Sequence, residues 1–382
     1  MKVAVLGYGT VGFGVFEMLK NAEGLEPKCV LVRPSKVDAD FKVGSIDDIV
    51  ADPEIEAVAE VMGGIEPAFS YCSAALAAGK HVVTSNKALV SAKGPELVKI
   101  AESTGAAFLF SAACGGAVPF LHNIALAVES DSLKSLGGIL NGTTNYMLDA
   151  MQSRGMSYAE ALADAQALGY AEADPTADVS GLDALRKIML ACAVAYGKLP
   201  VDGLCREGIE SITAEDVSDL KKRGLTCRLI TSGGLSESGS LYAYIEPVLF
   251  EANAPECSVL RNYNMAKYNG ENSGPIVFMG QGAGRWPTAS AVLRDLNDIL
   301  HGRKYMMKPD CERVAADNDS CSHSYYVRLP ETLADSFPVR KKSLDSGIAR
   351  IVTEPLSVAK MHGIAAELRK EGTELFFAAL DE

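Results

Sequence analysis

A glycine-rich turn near the start of the chain constrains the fold more than any other feature. Three glycines in the pattern GxGxxG occupy residues 7 to 12, between an apolar run and a segment with helical spacing. In that context the glycines permit a tight turn, a close ligand approach and close packing of helix on strand. The amides and the dipole of the helix N-terminus then favour the pyrophosphate of a dinucleotide. The residues predicted to bind this group are Gly7, Gly9, Thr10, Val11 and Gly12.

Short apolar runs alternate with helical patterns as far as about residue 125. The runs end near residues 32, 62, 84 and 110, and a helical pattern over 95–103 precedes the last of them. Alternation of this kind predicts parallel strands joined by right-handed crossovers, the Rossmann-type arrangement of an α/β protein. We therefore predict a dinucleotide-binding domain over 1–125, completed by a helix over 287–305.

The rest of the chain predicts a second domain and a small tail, because 382 residues are more than a domain with a single hydrophobic core usually contains. Long helical patterns, mixed with strands between residues 225 and 279, predict an α+β domain over 126–286. Residues 320–382 predict a small β/α region with three strands and one helix, the helix over 356–370.

Composition excludes several classes of protein. The formal net charge of −13 does not favour binding to the negatively charged phosphates of nucleic acid. No apolar run reaches the roughly 18 residues of a membrane span. The nine cysteines include no CxxC pair and no metal-ligand spacing, which favours reduced thiols. Because the first apolar run starts at residue 2 and leaves no room for a signal peptide, we expect a cytoplasmic protein.

The end of the second predicted strand bears on the choice of dinucleotide. An NAD-selective site usually places Asp or Glu there to bind the ribose 2′-hydroxyl. This chain has Arg33 instead, with Lys36 nearby, and these cations suit a 2′-phosphate. The sequence therefore favours NADP over NAD. A solvated arginine with relaxed selectivity is the alternative, and whether NADP is a productive coenzyme stays open.

A predicted helix over 182–196 carries two charges in an otherwise apolar pattern, which indicates that it is buried. Asp183 and Lys187 are four residues apart and so share one face. A buried charge must be paired or must line a cavity, so the two residues form either a structural ion pair or part of a site. Several carboxylates lie just before the helix and favour a site over a structural ion pair.

Several segments, in order along the chain, resemble the homoserine dehydrogenase family. NGTTNY at 141–146 and GAGRWPTASAV at 282–292 are the most specific of them. The resemblance covers residues 1 to about 300. The other matching segments are MGGIEP at 62–67, SNKAL at 85–89, GYAEADP at 169–175 and DVSGLDALRK at 178–187.

The resemblance implies a reaction and a role for each matching residue. The family reduces L-aspartate 4-semialdehyde reversibly to L-homoserine with NAD(P)H, on the route to threonine and methionine. Lys187, with water, would handle the proton of the substrate oxygen, Asp183 would position that oxygen or the water, and Lys87 would lie near the nicotinamide and the substrate. Asn86 and Gly284 would add to the dinucleotide site. The residues implied for substrate binding are Glu172, Asp178, Thr143, Gly142 and Tyr170.

The chain departs from the family pattern at two places. Where homoserine dehydrogenases have EAxVGGGIP, with a glutamate that helps to bind a monovalent cation, this chain has Ser111. A hydroxyl is a poorer cation ligand than a carboxylate, so we predict no bound metal, or a weakened sodium site. The tail resembles the start of a regulatory ACT domain but lacks the turn that should follow. We therefore expect a degenerate ACT-like unit, which argues against threonine feedback.

The resemblance also implies a homodimer joined through the second domains, which would make 126–286 the catalytic and dimerisation domain. Two other functions remain open at this point. A related NAD(P)-dependent dehydrogenase would act on another small amino acid or semialdehyde, and a substrate panel separates it from the first interpretation. A catalytically inactive NADP-binding regulator is disfavoured because both Lys87 and Lys187 are present.

Overall fold

The computed structural model describes residues 1–32 and 41–381, and the chain divides into two compact units. Unit 1 comprises Met1–Ser132, Met189–Leu199 and Gly280–Arg313, and unit 2 comprises Leu133–Ile188, Pro200–Met279 and Val314–Glu382. Within the described residues, no helix combines the length and apolarity that crossing a membrane requires.

The elements alternate between strand and helix in the first third of the chain and are mixed thereafter. The strands are β1 (Lys2–Leu6), β2 (Glu26–Leu31), β3 (Lys42–Val43), β4 (Ile55–Glu60), β5 (His81–Thr84), β6 (Phe108–Leu109), β7 (Leu133–Ile139), β8 (Lys198–Asp202), β9 (Cys205–Arg206), β10 (Leu225–Leu235), β11 (Leu241–Glu251), β12 (Tyr263–Gly270), β13 (Gly274–Gln281), β14 (Glu312–Ala315), β15 (Ser322–His323), β16 (Tyr325–Pro330), β17 (Val339–Asp345), β18 (Ile348–Thr353), β19 (Leu356–Ser357) and β20 (Phe376–Leu380). The helices are α1 (Thr10–Leu19), α2 (Ile46–Ala51), α3 (Ala68–Ala77), α4 (Lys87–Thr104), α5 (Phe120–Ala127), α6 (Gly142–Arg154), α7 (Tyr158–Ala167), α8 (Thr176–Val179), α9 (Leu182–Tyr196), α10 (Ala214–Lys222), α11 (Arg285–Leu300) and α12 (Val358–Lys370).

The sheet of unit 1 has six parallel strands in the order β3-β2-β1-β4-β5-β6. β1 lies between β2 and β4, and its residues from Val3 to Leu6 are fully buried. The predicted Rossmann-type sheet is confirmed. Because the strand order reverses beside β1, a ligand is expected outside the carboxyl ends of β1 and β4.

One helix of unit 1 starts earlier than its sequence pattern indicates. The pattern predicted a helix from Pro95, whereas α4 begins at Lys87 and carries Pro95 in its interior. The Asn86 side chain accepts a hydrogen bond from Leu89 N at 3.1 Å and so caps the helix. The predicted start was wrong because the cap at Asn86 starts the helix eight residues earlier and the helix carries Pro95 in its interior.

Unit 2 is organised on a mixed sheet in the order β13-β12-β7-β10-β11-β20-β16-β18-β17, with β9 paired to β11. β7 lies between β12 and β10 and contains two glycines where its neighbours approach closely. A Cβ on Gly137 would lie 2.0 Å from Thr231 O, and one on Gly138 would lie 2.1 Å from Met265 O. This packing places the carboxyl end of β7 beside β12, and that strand end leads into α6.

The C-terminal part of unit 2 is a four-stranded antiparallel sheet, β20-β16-β18-β17, with α12 packed against it. The strand β17 was missed from the sequence because six of its seven residues are exposed and show no apolar alternation. A 3-10 helix, Glu331–Ser336, connects β16 to β17. The strand β20 pairs in parallel with β11, which joins this region to the rest of the sheet.

Candidate active site

The glycine turn joins β1 to α1 in unit 1. Gly7 has a φ of +97°, which glycine adopts without a steric cost. A Cβ on Gly12 would lie 2.1 Å from Gly7 O, so the helix can start this close to the strand only with glycine at that position. A Cβ on Gly9 would meet no atom within 4 Å, and both Gly9 and Thr10 are exposed. The turn is therefore open to a ligand at Gly9, and its shape fits a pyrophosphate.

A second helix begins beside α1. Gly284 is the N-cap residue of α11, and a Cβ on Gly14 would lie 2.9 Å from the Cγ atom of Arg285, so the two helices cross closely. The Arg285 guanidinium lies 5.1 Å from the ring centre of Phe13. This arrangement places a cation at the start of α11, on the surface of α1, and such positive groups suit a phosphate ligand.

Polar side chains gather where β4 and β5 end. Glu60 is fully buried and accepts a hydrogen bond of 2.5 Å from Thr84 Oγ1. Burial raises the pKa of Glu60, while its hydrogen bonds oppose that shift. Asn86 Nδ2 donates to Gly64 O at 2.6 Å, which ties the loop after β4 to the start of α4. The half-buried Lys87 follows directly as the first residue of α4.

In unit 2 the predicted pair Asp183 and Lys187 forms a buried ion pair with a contact of 2.7 Å between Oδ2 and Nζ. Only 8% of the lysine side chain and 11% of the aspartate side chain is exposed. Lys187 Nζ also donates to Leu140 O at 2.5 Å. The ammonium group is thus held between a carboxylate of α9 and the carbonyl that follows β7, which orients its protons within a mostly dry environment.

Asn141 joins this pair to a third carboxylate. Its Nδ2 donates to Asp178 Oδ1 at 2.7 Å and to Asp183 Oδ2 at 2.9 Å, and its Oδ1 accepts from Thr144 N at 2.9 Å as the cap of α6. Burial raises the pKa of Asp178, and the Asp183 carboxylate raises it further, whereas the Asn141 hydrogen bond lowers it. One asparagine therefore starts a helix and holds two acidic side chains together.

The other residues named from the family motifs lie around the start of α6 or after α7. Thr143 Oγ1 donates to Tyr170 O at 2.6 Å. Gly142 is the first residue of α6, and a Cβ there would lie 2.6 Å from Asn262 O. Glu172, two residues after Tyr170, is exposed. The structure thus brings Gly142, Thr143 and Tyr170 together and leaves Glu172 at the surface.

The chain matches two family models. Residues 7–111 match the model described as "Homoserine dehydrogenase, NAD binding domain", and residues 119–297 match the model described as "Homoserine dehydrogenase". A homoserine dehydrogenase of Synechocystis is 38% identical over 347 residues, which are 86% of this chain and 79% of the relative. The chain belongs to the homoserine dehydrogenase family. It is therefore an oxidoreductase that acts on a CH–OH group.

Further homoserine dehydrogenases extend the likeness to nearly the whole chain. The enzyme of Mycobacterium tuberculosis strain H37Rv is 36% identical over 395 residues, which are 97% of this chain and 86% of that protein. The crystal structure of the enzyme from Thiobacillus denitrificans superposes with a TM-score of 0.88 at 29% identity, over 100% of this chain and 98% of that one. A hyperthermophilic archaeal homoserine dehydrogenase, solved as a mutant in complex with NADPH, shares the fold with a TM-score of 0.69 at 23% identity, over 79% of this chain and 98% of that one.

Ser111 faces a carboxylate that the sequence motifs did not reveal. Its amide donates to Asp295 Oδ2 at 2.8 Å, and its hydroxyl donates to Asp295 Oδ1. Asp295 is fully buried, and burial raises its pKa to about 7. Within unit 1 the Ser111 hydroxyl is therefore bonded to a carboxylate of α11.

Two predicted cofactor residues, Arg33 and Lys36, lie outside the described residues. Three groups at the sites were missed from the sequence: the Asn141 side chain, the Leu140 carbonyl and the Asp295 carboxylate. Asn141 stood within the recognised NGTTNY segment, and its cap position before a helix was a usable signal. The other two had none, because a carbonyl occurs at every residue and Asp295 meets Ser111 across 184 residues of chain.

Proposed function

We propose that the cluster around Lys187 is the site at which L-aspartate 4-semialdehyde is reduced to L-homoserine, and at which the reverse reaction occurs. The observation that carries this proposal is the buried lysine, held at 2.7 Å from Asp183 and 2.5 Å from Leu140 O. A lysine is protonated at neutral pH under ordinary conditions, so it begins the reduction as an acid. Its position is set by two acceptors, and positioning is what an acid catalyst requires.

The chemistry needs one hydride and one proton. NADPH or NADH, when bound, supplies the hydride that reaches the aldehyde carbon. The two electrons of the carbon–oxygen π bond move onto the oxygen, and Lys187, directly or through water, gives that oxygen a proton. Asp183 keeps the lysine oriented and stabilises its charged form. Lys87, at the carboxyl edge of the unit 1 sheet, is proposed to lie near the nicotinamide.

The amino group of the substrate is proposed to bind the acidic residues near α8. Asp178 is half-buried and points its Oδ1 atom at Asn141, so its carboxylate is already oriented. Glu172 is exposed and would approach the ammonium group from the surface. Gly142, Thr143 and Tyr170 complete the binding site in this proposal. The contact between Thr143 and Tyr170 supports their joint role.

NADP is the proposed coenzyme, and the support lies in the sequence. Arg33 and Lys36 follow the second strand of the Rossmann-type sheet, where a 2′-phosphate would need cations. A mutant of an archaeal homoserine dehydrogenase with the same fold was solved in complex with NADPH. The test is Arg33→Ala, which is expected to raise KM for NADPH much more than KM for NADH. Equal changes for both coenzymes would remove Arg33 from the 2′-phosphate site.

A homodimer is proposed through the outer edge of the unit 2 sheet. The edge strand β13 alternates half-buried and exposed residues, and its exposed set includes Val277 and Met279, at 49% and 59%. Apolar side chains on an open edge strand favour association with a second copy. Sedimentation of the native chain and of Met279→Glu tests this. A native dimer that the variant weakens is expected, and a monomeric native chain at micromolar concentration would contradict it.

We propose that activity has no strong requirement for a monovalent cation, because Ser111 replaces the family glutamate. Activity is expected to change only slightly between NaCl and KCl, and a saturable cation requirement would contradict this.

The C-terminal sheet with α12 is proposed to be a shortened ACT-like unit, since a 3-10 helix lies between its strands β16 and β17. Titration calorimetry with L-threonine is then expected to show no micromolar binding.

The experiment that tests the proposed reaction is a substrate panel. Oxidation of NADPH and NADH is followed with aspartate semialdehyde, with its one-carbon-longer homologue and with a simple aldehyde that lacks the amino and carboxylate groups. The native chain is expected to prefer aspartate semialdehyde by a large margin in kcat/KM. A preference for the longer homologue would indicate a related dehydrogenase, and no turnover of any of them would indicate an inactive dinucleotide-binding protein.

A further inference from the structure

The side chain of Asn264, on β12, is an unusual buried polar group. It is 1% exposed, and neither its Oδ1 nor its Nδ2 atom has a hydrogen-bond partner among the described residues. A buried carboxamide that forms no hydrogen bond loses those it made to water in the unfolded chain. Native proteins rarely keep such a group without a reason, and a bound ligand is one such reason.

Asn264 lies next to the groups that surround Lys187. The following residue, Met265, pairs with Ile139, so the antiparallel register places Asn264 across from Leu140. Leu140 O is the carbonyl that accepts the Lys187 hydrogen bond. A Cβ on Gly142 would lie 3.3 Å from Asn264 Oδ1, which places the carboxamide beside the first residue of α6.

A neighbouring buried asparagine, Asn145, has a structural role that Asn264 does not share. Asn145, in the first turn of α6, donates from Nδ2 to Val259 O, Arg261 O and Tyr263 O at 2.9 to 3.2 Å. These bonds hold the chain that leads into β12. Asn264 follows that segment directly, makes no such bonds and is just as buried. Its own amide is therefore left without a hydrogen-bond partner within the described part of the chain, although it lies beside the first residue of α6.

We propose that Asn264 binds the α-carboxylate of the amino-acid substrate through Nδ2. The N-terminus of α6 presents backbone N–H groups and a positive dipole end, which favour an anion. The acidic side chain of Asp178 favours the ammonium group, so the two ends of the amino acid are recognised by groups of opposite charge. This inference rests on the proposed substrate site and adds a residue that discriminates amino-acid aldehydes from simple ones.

The test compares Asn264→Leu and Asn264→Asp with Asn269→Asp, a matched control on the same strand at an exposed position. In Asn264→Leu, KM for aspartate semialdehyde is expected to rise at least tenfold, with the NADPH dissociation constant unchanged. Asn264→Asp should raise KM further because its carboxylate repels that of the substrate. Asn269→Asp should leave both constants unchanged. The thermal midpoint of Asn264→Leu should not fall, since the leucine removes an unsatisfied polar group.

A second substrate makes the assignment specific to the carboxylate. With 3-aminopropanal, which lacks the α-carboxylate, native protein and Asn264→Leu should have the same kcat/KM. A lower thermal midpoint in Asn264→Leu with an unchanged KM would overturn the inference and give Asn264 a structural role. A lower KM in Asn264→Asp would overturn it too, because the residue would then face the ammonium group. A native chain inactive on aspartate semialdehyde would overturn the proposed function along with it, whereas an active native chain with an unchanged KM in both variants overturns this inference alone.

Discussion

The glycine turn of unit 1 and the lysine cluster of unit 2 are built in opposite ways. The turn uses six consecutive residues and works through its backbone, with Gly12 packed against Gly7 O and Gly9 left open. The cluster uses side chains from separate segments, and its bond from Lys187 to Leu140 O spans 47 residues. A site made of backbone depends on local sequence, whereas a site made of side chains depends on how the fold brings distant segments together.

The largest expected effect separates proton transfer from the rest of the cluster. Lys187→Ala should lower kcat by about 10²-fold or more, since a positioned acid contributes roughly that much. Lys187→Arg is the control that keeps the positive charge, and it should also be slow, because a guanidinium holds its proton too tightly to give it up. A kcat within a few-fold of native in Lys187→Ala would make the buried pair a structural one.

Because the turn acts through its backbone, glycine-to-alanine substitutions at Gly9 and Gly12 should differ in effect: the first should weaken NADPH binding and the second should lower stability. Gly9→Ala adds a methyl group into open space, so the protein should fold normally while the NADPH dissociation constant rises about tenfold or more, because the ligand must approach that backbone closely. Gly12→Ala drives its methyl group into Gly7 O, so its thermal midpoint should fall. Native NADPH affinity in Gly9→Ala would show that the ligand does not approach the turn at Gly9.

Sequence reasoning succeeded where the signal was local. The Rossmann-type sheet followed from alternating patterns, and the pairing of Asp183 with Lys187 followed from their four-residue spacing within one helix. It did not find Asn141 as the link between Asp178 and Asp183, because that link requires α6, α8 and α9 to be placed in space. It also missed β17, whose residues face solvent and show no alternation.

Asn141 offers a way to separate its two roles. Asn141→Ser keeps a side chain that caps α6 but loses the amide that bridges two carboxylates, so kcat/KM should fall about tenfold, and the loss of these hydrogen bonds should lower the thermal midpoint slightly. Asn141→Ala loses the cap as well and should cost about 1 kcal/mol in stability. If the two variants match in stability and activity, the cap makes no measurable contribution to stability. If Asn141→Ser is fully active, the bridge between the two carboxylates is not needed for activity.

The smallest expected effect is a shift in the acid limb of the pH profile. The pKa of Asp178 is raised by burial and by Asp183, so its carboxylate is protonated at a higher pH than an ordinary aspartate. Substrate affinity, which needs the charged form, should therefore begin to fall as pH decreases at a point above the usual aspartate range. Asp178→Asn should lower affinity at neutral pH and remove this limb of kcat/KM. An acid limb that survives in Asp178→Asn would assign it to another group.

The turn is proposed to bind the dinucleotide, and the lysine cluster is proposed to perform the proton step. This assignment of roles is tested most directly by titrating NADPH into Lys187→Ala and Gly9→Ala and measuring the dissociation constant by coenzyme fluorescence. A native dissociation constant is expected in Lys187→Ala, and a constant raised about tenfold or more is expected in Gly9→Ala. Weakened NADPH binding in Lys187→Ala, together with native binding in Gly9→Ala, would contradict the assignment of dinucleotide binding to the turn and of the proton step to Lys187.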